Sequence, residues 1–297
     1  MKDKTLGYWN VILSLLMWGI LPVYWKAMLE FPASDILAHR IIWSFLFLSI
    51  LLSYHNSWKD FFKNFSSVSE IIFLSLRASF LGINWFIYVW GINHDHVVDC
   101  SLGYFIMPLV IVLMSFIFLK EKLSKLEIIS FLLALAGVLN LILSYGKFPW
   151  LALSLAITFA IYAVFRKTSK HGPISGLAAE VALLSIPAFS YLLFSGTHNN
   201  WLYYSNISFL NLVLILGTGI VTVVPLLCYI HGIKRVKLNI AGMLNYISPT
   251  CNFLLGIFLY KETFSFIYFI TFAMIWISII IFSYDSIKRT QKSSFPK

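Results

Sequence analysis

Glu180, His39 and Arg40 lie inside long apolar stretches of this chain, where an ionisable group costs about 2.5–3.5 kcal/mol to insert and so usually faces a cavity or a partner. A carboxylate at Glu180 could bind a proton or a cation, or anchor the amine of a substrate. It could equally form a structural ion pair, or stay wet, since it lies only about five residues, roughly 8 Å, from the end of its stretch. His39 titrates near neutral pH and suits a proton relay, while Arg40 presents a planar fork matched to a carboxylate or phosphate. The competing reading joins Arg40 to Asp35 and Glu30 in an ion-pair cluster at the helix end. Arg77, seven residues into its stretch, is expected to snorkel its guanidinium to the nearer surface.

Asn84, Trp85, Tyr88, Trp90 and Tyr104 form a polar and aromatic set, and aromatic faces accept apolar rings and cations without demanding one hydrogen-bond pattern. Such residues also build interfacial belts, the reading that fits Trp90 near a helix end. Pro22, Pro108, Pro225 and Pro249 each remove a backbone hydrogen bond within an apolar run, and the resulting kinks either bow helices around a cavity or simply pack. His94-Asp95-His96 with Asp99 superficially resembles a metal site. That loop is short and exposed, and Asp99 fits an N-cap, so neither a metal nor a cofactor is expected. The chain has no phosphate-cradling glycine loop, His-Glu-x-x-His pattern or Gly-x-Ser-x-Gly elbow. This excludes an ATP-driven pump carried on the chain and argues against an enzyme.

The elements that must hold these side chains follow from composition. Of 297 residues, 60% are apolar, 18% aromatic and 11% charged, with a mean hydropathy of +0.84, whereas a soluble domain carries about a quarter charged residues. Apolar runs at 7–26, 35–54, 70–92, 99–119, 124–144, 149–167, 175–195, 208–231, 238–259 and 264–284 are each long enough for a spanning helix of about 20 residues. The first run reads as a retained signal anchor, and no connector is long enough for a second domain. Seventeen of the 22 Lys and Arg residues, Arg166, Lys167 and Lys234 among them, fall in alternate connectors and the tails. By the positive-inside rule both termini are expected in the cytoplasm, which requires an even number of spans. The net charge of +10 then reports topology, with no nucleic-acid partner implied. Cys100, Cys228 and Cys251 lack framework spacing and read as small core residues.

Shifting the chain by 141 residues against itself pairs Tyr88 with Tyr229, Gly91 with Gly232, Pro108 with Pro249, and Lys120-Glu121 with Lys261-Glu262 without a gap. The same shift sets Lys26 against Lys167 and His39 against Glu180. The two Lys-Glu pairs are expected to be turn and interface groups. Each half therefore holds five spans, and because five is odd the second half enters the membrane inverted, the arrangement that lets secondary transporters alternate access. The expected fold is all-α, ten transmembrane helices in two inverted five-helix repeats (1–145 and 146–285), followed by a basic tail (286–297).

The runs Ala38-His39-Arg40-Ile41-Ile42-Trp43-Ser44, Asn84-Trp85, Ser101 to Leu109, Val221 to Cys228 and Tyr246-Ile247-Ser248-Pro249-Thr250 resemble the RarD permeases, of the EamA branch of the drug/metabolite transporter superfamily. The resemblance implies a multi-pass permease of the bacterial inner (plasma) membrane. It also implies that the first four helices of each half surround a cavity while the fifth packs outside, and it adds Trp43, Asn245 and Tyr246 to the candidate binding residues. Where that family usually reads Gln-Tyr-Ile, this chain has Asn245, a shorter amide that changes cavity size or hydrogen-bond reach. The function expected is a secondary transporter, an exporter of small amphipathic organic molecules or drugs, with protons as a candidate coupling ion, the bilayer as solvent and a homodimer as a candidate assembly. The alternatives are a membrane enzyme acting on lipid-linked substrates and a non-transporting membrane scaffold; the scaffold predicts halves packed solidly around Asn84, Tyr104, Glu180 and Asn245.

Overall fold

A computed structural model describes residues 2–28, 30–94, 96–194, 207–261 and 266–292. Lipid offers no partners to backbone N–H and C=O groups, so each apolar run must satisfy its own hydrogen bonds, and it does so as a helix. The elements are α1 (Lys2–Lys26), α2 (Ala33–Tyr54), α3 (Trp58–Phe62), α4 (Val68–Asn93), α5 (Val97–Leu119), α6 (Lys125–Tyr145), α7 (Trp150–Thr168), α8 (Pro173–Phe194), α9 (Phe209–Ile233), α10 (Leu238–Leu244), α11 (Ile247–Leu254) and α12 (Phe266–Lys292). Ten spans are long and apolar enough to cross a bilayer among the described residues; α10, α11 and a π-turn at Leu255–Leu259 share one of them. Large apolar side chains point outward along them, as at Phe86, Phe118 and Leu143.

The repeat is visible in the backbone. Val68 and Phe209, Val97 and Leu238, and Lys125 and Phe266 each begin equivalent helices 141 residues apart. Lys120 and Lys261, also 141 apart, both adopt the left-handed conformation that ends a helix, with φ of 52° and 53°. Packing obeys the same exchange: α1 against α9 is matched by α7 against α4, α2 against α9 by α8 against α4, and α1 against α11 by α7 against α5. The pairs α2–α8, α5–α10 and α6–α12 map onto themselves. Such pairing is what an in-plane pseudo-two-fold axis between inverted halves requires.

Close crossings depend on small residues. Gly219 of α9 lies so near α2 that a Cβ there would sit 2.4 Å from the Trp43 carbonyl carbon. At the periphery α6 and α12 are joined by polar contacts: Ser278 Oγ donates to Ser130 O at 2.7 Å and Arg289 Nη1 meets Glu127 Oε2 at 3.2 Å. A capping box starts α6, with Ser124 accepting from the Glu127 N–H and Glu127 from the Ser124 N–H, satisfying two otherwise orphaned donors. Glu121 spans the halves differently, its two oxygens accepting from the Leu238 and Asn239 N–H groups at 2.9 and 2.8 Å. One half thereby caps the first turn of α10 in the other. Its counterpart Glu262 lies outside the described residues.

Several expectations are revised. The connector after α2 is structured, forming α3 and a short 3-10 turn, Lys63–Phe65. The ninth run is interrupted at Asn245-Tyr246 rather than merely kinked, because Pro249 cannot donate to the carbonyl four residues before it. Pro22, Pro108 and Pro225 stay within continuous helices, and Pro187 lies inside α8, unanticipated. Asp99 is not the N-cap of α5. The helix starts at Val97 after His96, so Asp99 falls within its first turn, where its carboxylate pairs with His96 Nδ1 at 2.9 Å and complements the helix dipole. Residues 286–292 continue α12, whereas 293–297 and Asp95 lie outside the described residues.

Candidate functional site: a central cavity between the halves

A cavity of about 140 Å³ opens between α1, α2, α4 and α5 of the first half and α7, α9, α11 and the break before α11 of the second. Neither α6 nor α12 contributes a side chain to it, as expected for the fifth helix of each half. Its wall carries repeat-related pairs 141 residues apart: Trp18 and Phe159, Trp85 and Leu226, Tyr104 and Asn245, Met107 and Ser248. The backbone around the cavity is symmetric, but its chemistry differs between the halves.

Arg40 shows the difference most clearly, since its counterpart Val181 is a buried aliphatic residue. The guanidinium Nε donates to Thr222 Oγ1 of α9 at 2.8 Å. Its carbon lies 4.4 Å from the centre of the Trp85 ring and 5.6 Å from that of Trp25, so two aromatic faces hold it in place. The expected cluster of Arg40 with Asp35 and Glu30 does not form. Asp35 accepts from the Tyr191 hydroxyl at 2.9 Å and Glu30 from Asn211 Nδ2 at 3.1 Å. Among the described residues no carboxylate stands within 4.0 Å of Arg40, and no acidic residue lines the cavity.

Asn84 and Asn245 are fixed by the surrounding helices, whereas Asn252 Oδ1 has no hydrogen-bond partner among the described residues. Asn84 donates both amide hydrogens to α7, to Leu155 O at 2.9 Å and Thr158 Oγ1 at 3.0 Å. Asn245, at the break before α11, donates to Ala241 O at 2.7 Å and to the Tyr229 hydroxyl at 3.3 Å. Tyr88 and Tyr104 meet edge to face at 6.1 Å. Ten spans put the start of α1 and the end of α12 on one side of the bundle, and on that side of the cavity Trp18, Phe159 and Tyr229 close together with ring centres 5.3–5.8 Å apart. Buried Ile233, Val236 and Leu238 follow beyond them.

The structure thus brings Arg40, Asn84, Trp85, Tyr88, Tyr104 and Asn245 together around one space. His39, Trp43, Glu180 and Tyr246 are not in its wall. Trp43 packs on the Met28, Phe31 and Ile215 cluster, Tyr246 is fully buried, and Trp90 stacks between the rings of His94 and His96. Thr222, Ser248, Trp18 and Phe159 join the wall unanticipated; the first two stood inside motifs already singled out, and Trp18 and Phe159 are a repeat pair.

Glu180 occupies a separate buried cluster. Its Oε1 meets Arg77 Nε at 2.8 Å and Arg166 Nη1 at 3.2 Å, and its Oε2 accepts from the Tyr162 hydroxyl at 3.1 Å. All three charged side chains are at most 4% exposed. Arg77 therefore does not snorkel: an ion pair within reach is better than a strained path to water. Asn64, from the turn after α3, accepts from Arg77 Nη2 at 3.3 Å. Just beyond, Lys234 Nζ donates to the Ser169 and His171 carbonyls. Burial, reinforced by the charges of Arg166 and Arg77, holds its ammonium down to about 8.

Comparison with known proteins fits this architecture. Residues 5–143 and 147–284 each match the EamA-like transporter family. The chain is 40% identical to the "Uncharacterized transporter YojE" of Bacillus subtilis, over 94% of its own length and 95% of that protein. It is 36% identical to "Protein RarD" of Salmonella typhi over 98% and 99%, and 35% identical to "Protein RarD" of Escherichia coli over 99% of each. A solved crystal structure aligns with a TM-score of 0.70 over 94% of this chain and 96% of its own at 18% identity, a likeness of fold.

Proposed function

Because the chain belongs to the EamA-like transporter family, we propose that it carries small organic solutes through the central cavity by alternating access, as two inverted halves (1–145 and 146–285) rock about that site. It is a multi-pass membrane transporter of the drug/metabolite type, in the bacterial inner (plasma) membrane. The observation that carries the mechanism is the cavity itself. It lies between the halves, is lined by equivalent positions of both, and is closed on the termini side by Trp18, Phe159 and Tyr229. A scaffold packed solidly around Asn84, Tyr104, Glu180 and Asn245 would have no such space; of the four only Glu180 is sealed away from it.

With the termini cytoplasmic, as the lysine and arginine distribution suggests, the closed face is the cytoplasmic one and the solute in this conformation is exchanged with the periplasmic side. Release there is the final step of export. His39, on α2 next to Arg40, is the proton-coupling candidate; Glu180 instead locks α4, α7 and α8 together. The test is solute flux in liposomes loaded with a panel of labelled amines, amino acids, nucleosides and organic acids. Trp85→Ala, which strips one wall, is expected to lower flux of the transported solute at least about tenfold in folded protein. Unchanged flux would remove the cavity from the path.

A further inference from the structure

Arg40, Arg77 and Arg166 all lie within the apolar helices, and the fold treats them in two ways. Arg77 and Arg166 share Glu180 in a sealed cluster. Arg40 has no carboxylate within 4.0 Å among the described residues, and two tryptophan faces and one threonine hydroxyl hold it beside Tyr88 and Tyr104. Its Nε is engaged, which leaves the paired terminal nitrogens, the fork that binds an oxyanion through two parallel hydrogen bonds, without a hydrogen-bond partner among the described residues. A charge left uncompensated at this depth is costly, and a ligand can supply the compensation.

We infer that the cavity takes a small planar or aromatic monocarboxylate, its carboxylate on the Arg40 fork and its ring against Trp25, Trp85, Tyr88 and Tyr104. This deepens the transport reading and rests on it only in making the ligand the cargo. Charge counting selects the class. One guanidinium and no acidic residue among the described residues of the wall match one negative charge. A phosphate dianion would need a second cation, and an ammonium, whether of an amine or of an amino acid, would find no carboxylate. Size agrees: about 140 Å³ is close to the roughly 150 Å³ of an apolar cavity known to hold benzene. The space is on the scale of one aromatic ring.

The experiment is binding to the full-length protein purified in detergent, by thermal shift and calorimetry, with benzoate, benzamide, benzylamine, phenylalanine and phenyl phosphate. Benzoate is expected to bind at least about tenfold more tightly than the neutral benzamide, the worth of one charge-assisted hydrogen bond, and than each of the other three. Arg40→Gln is expected to erase that preference. Should this variant fail to fold, Arg40→Lys keeps the charge, loses the fork, and is expected to weaken benzoate about tenfold. Equal binding of benzoate and benzamide, or tighter binding of benzylamine, phenylalanine or phenyl phosphate, would overturn the inference. Arg40-dependent benzoate binding without benzoate flux in liposomes would sink the transport reading and leave the binding assignment intact. Flux of an amine with no benzoate binding would do the reverse.

Discussion

Replacing Glu180 by Gln separates two roles for the same residue. The substitution preserves shape and removes the one negative charge between Arg77 and Arg166, whose side chains are 4% and 0% exposed. Taking away one partner of a buried pair costs about 3–5 kcal/mol because the other charge is left uncompensated. Here two guanidiniums are stranded, while the Gln oxygen can still accept from one of them or from Tyr162, so the same interval applies. At about 2 °C per kcal/mol for a large chain, that is a fall of roughly 6–10 °C in the unfolding midpoint. The assay is thermal unfolding in detergent, followed by a thiol-reactive dye that reports exposure of the buried Cys100. Adding Arg166→Leu to Glu180→Gln removes one stranded charge and is expected to recover at least about half of the loss, because Arg77 keeps Asn64 as a partner. A midpoint within about 2 °C of the parent would refute the structural reasoning. If such a stable variant also lost flux, Glu180 would become a coupling group.

Two further predictions concern the termini side and the helix crossing. Lys234 has a folded-state value of about 8 against an ordinary 10.5, so between those pH values the unfolded chain binds more protons and stability rises with pH; thermal midpoints from pH 8 to 10 should increase more in the parent than in Lys234→Met, and parallel curves would refute the assignment. Gly219→Val places a Cβ 2.4 Å from the Trp43 backbone, an overpacking worth about 1–3 kcal/mol or more; a lowered midpoint and poor yield of folded protein are expected, and an unchanged midpoint would show that α2 and α9 can separate there.

The spans were legible because lipid forces the hydrogen-bonding solution and the length together, and the repeat because Gly, Pro and Lys-Glu coincidences survive in an apolar background. Arg40, Asn84, Trp85, Tyr88, Tyr104 and Asn245 were legible as polar or aromatic groups in apolar runs. Trp18, Phe159 and Thr222 were not. In a helix apolar on every side no periodic face tells lipid from cavity, and rotation about the helix axis is set by contacts such as Gly219 on Trp43. Arg166 was hidden by its address. A last-turn arginine counts as an orientation signal, and only the packing of α8 against α4, which brings Glu180 to Arg166, shows that it is fully buried. The same cue, a charge inside a span, marked both Glu180 and Arg40, and only three-dimensional packing separates the sealed cluster from the open cavity.

The unequal walls of the cavity bear on how such a chain can be assembled. Two antiparallel copies of the first half alone would reproduce the main helix pairings, since α1–α9, α2–α9 and α1–α11 each have an exchanged counterpart and α2–α8 and α5–α10 map onto themselves. They would also supply two Arg40 side chains, each with its Trp25 and Trp85 faces, but no Thr222 to accept from Nε, giving a dicationic chamber. Covalent fusion of the halves fixes the stoichiometry at one guanidinium per chamber, and a dual-topology homodimer of either half cannot reach that ratio.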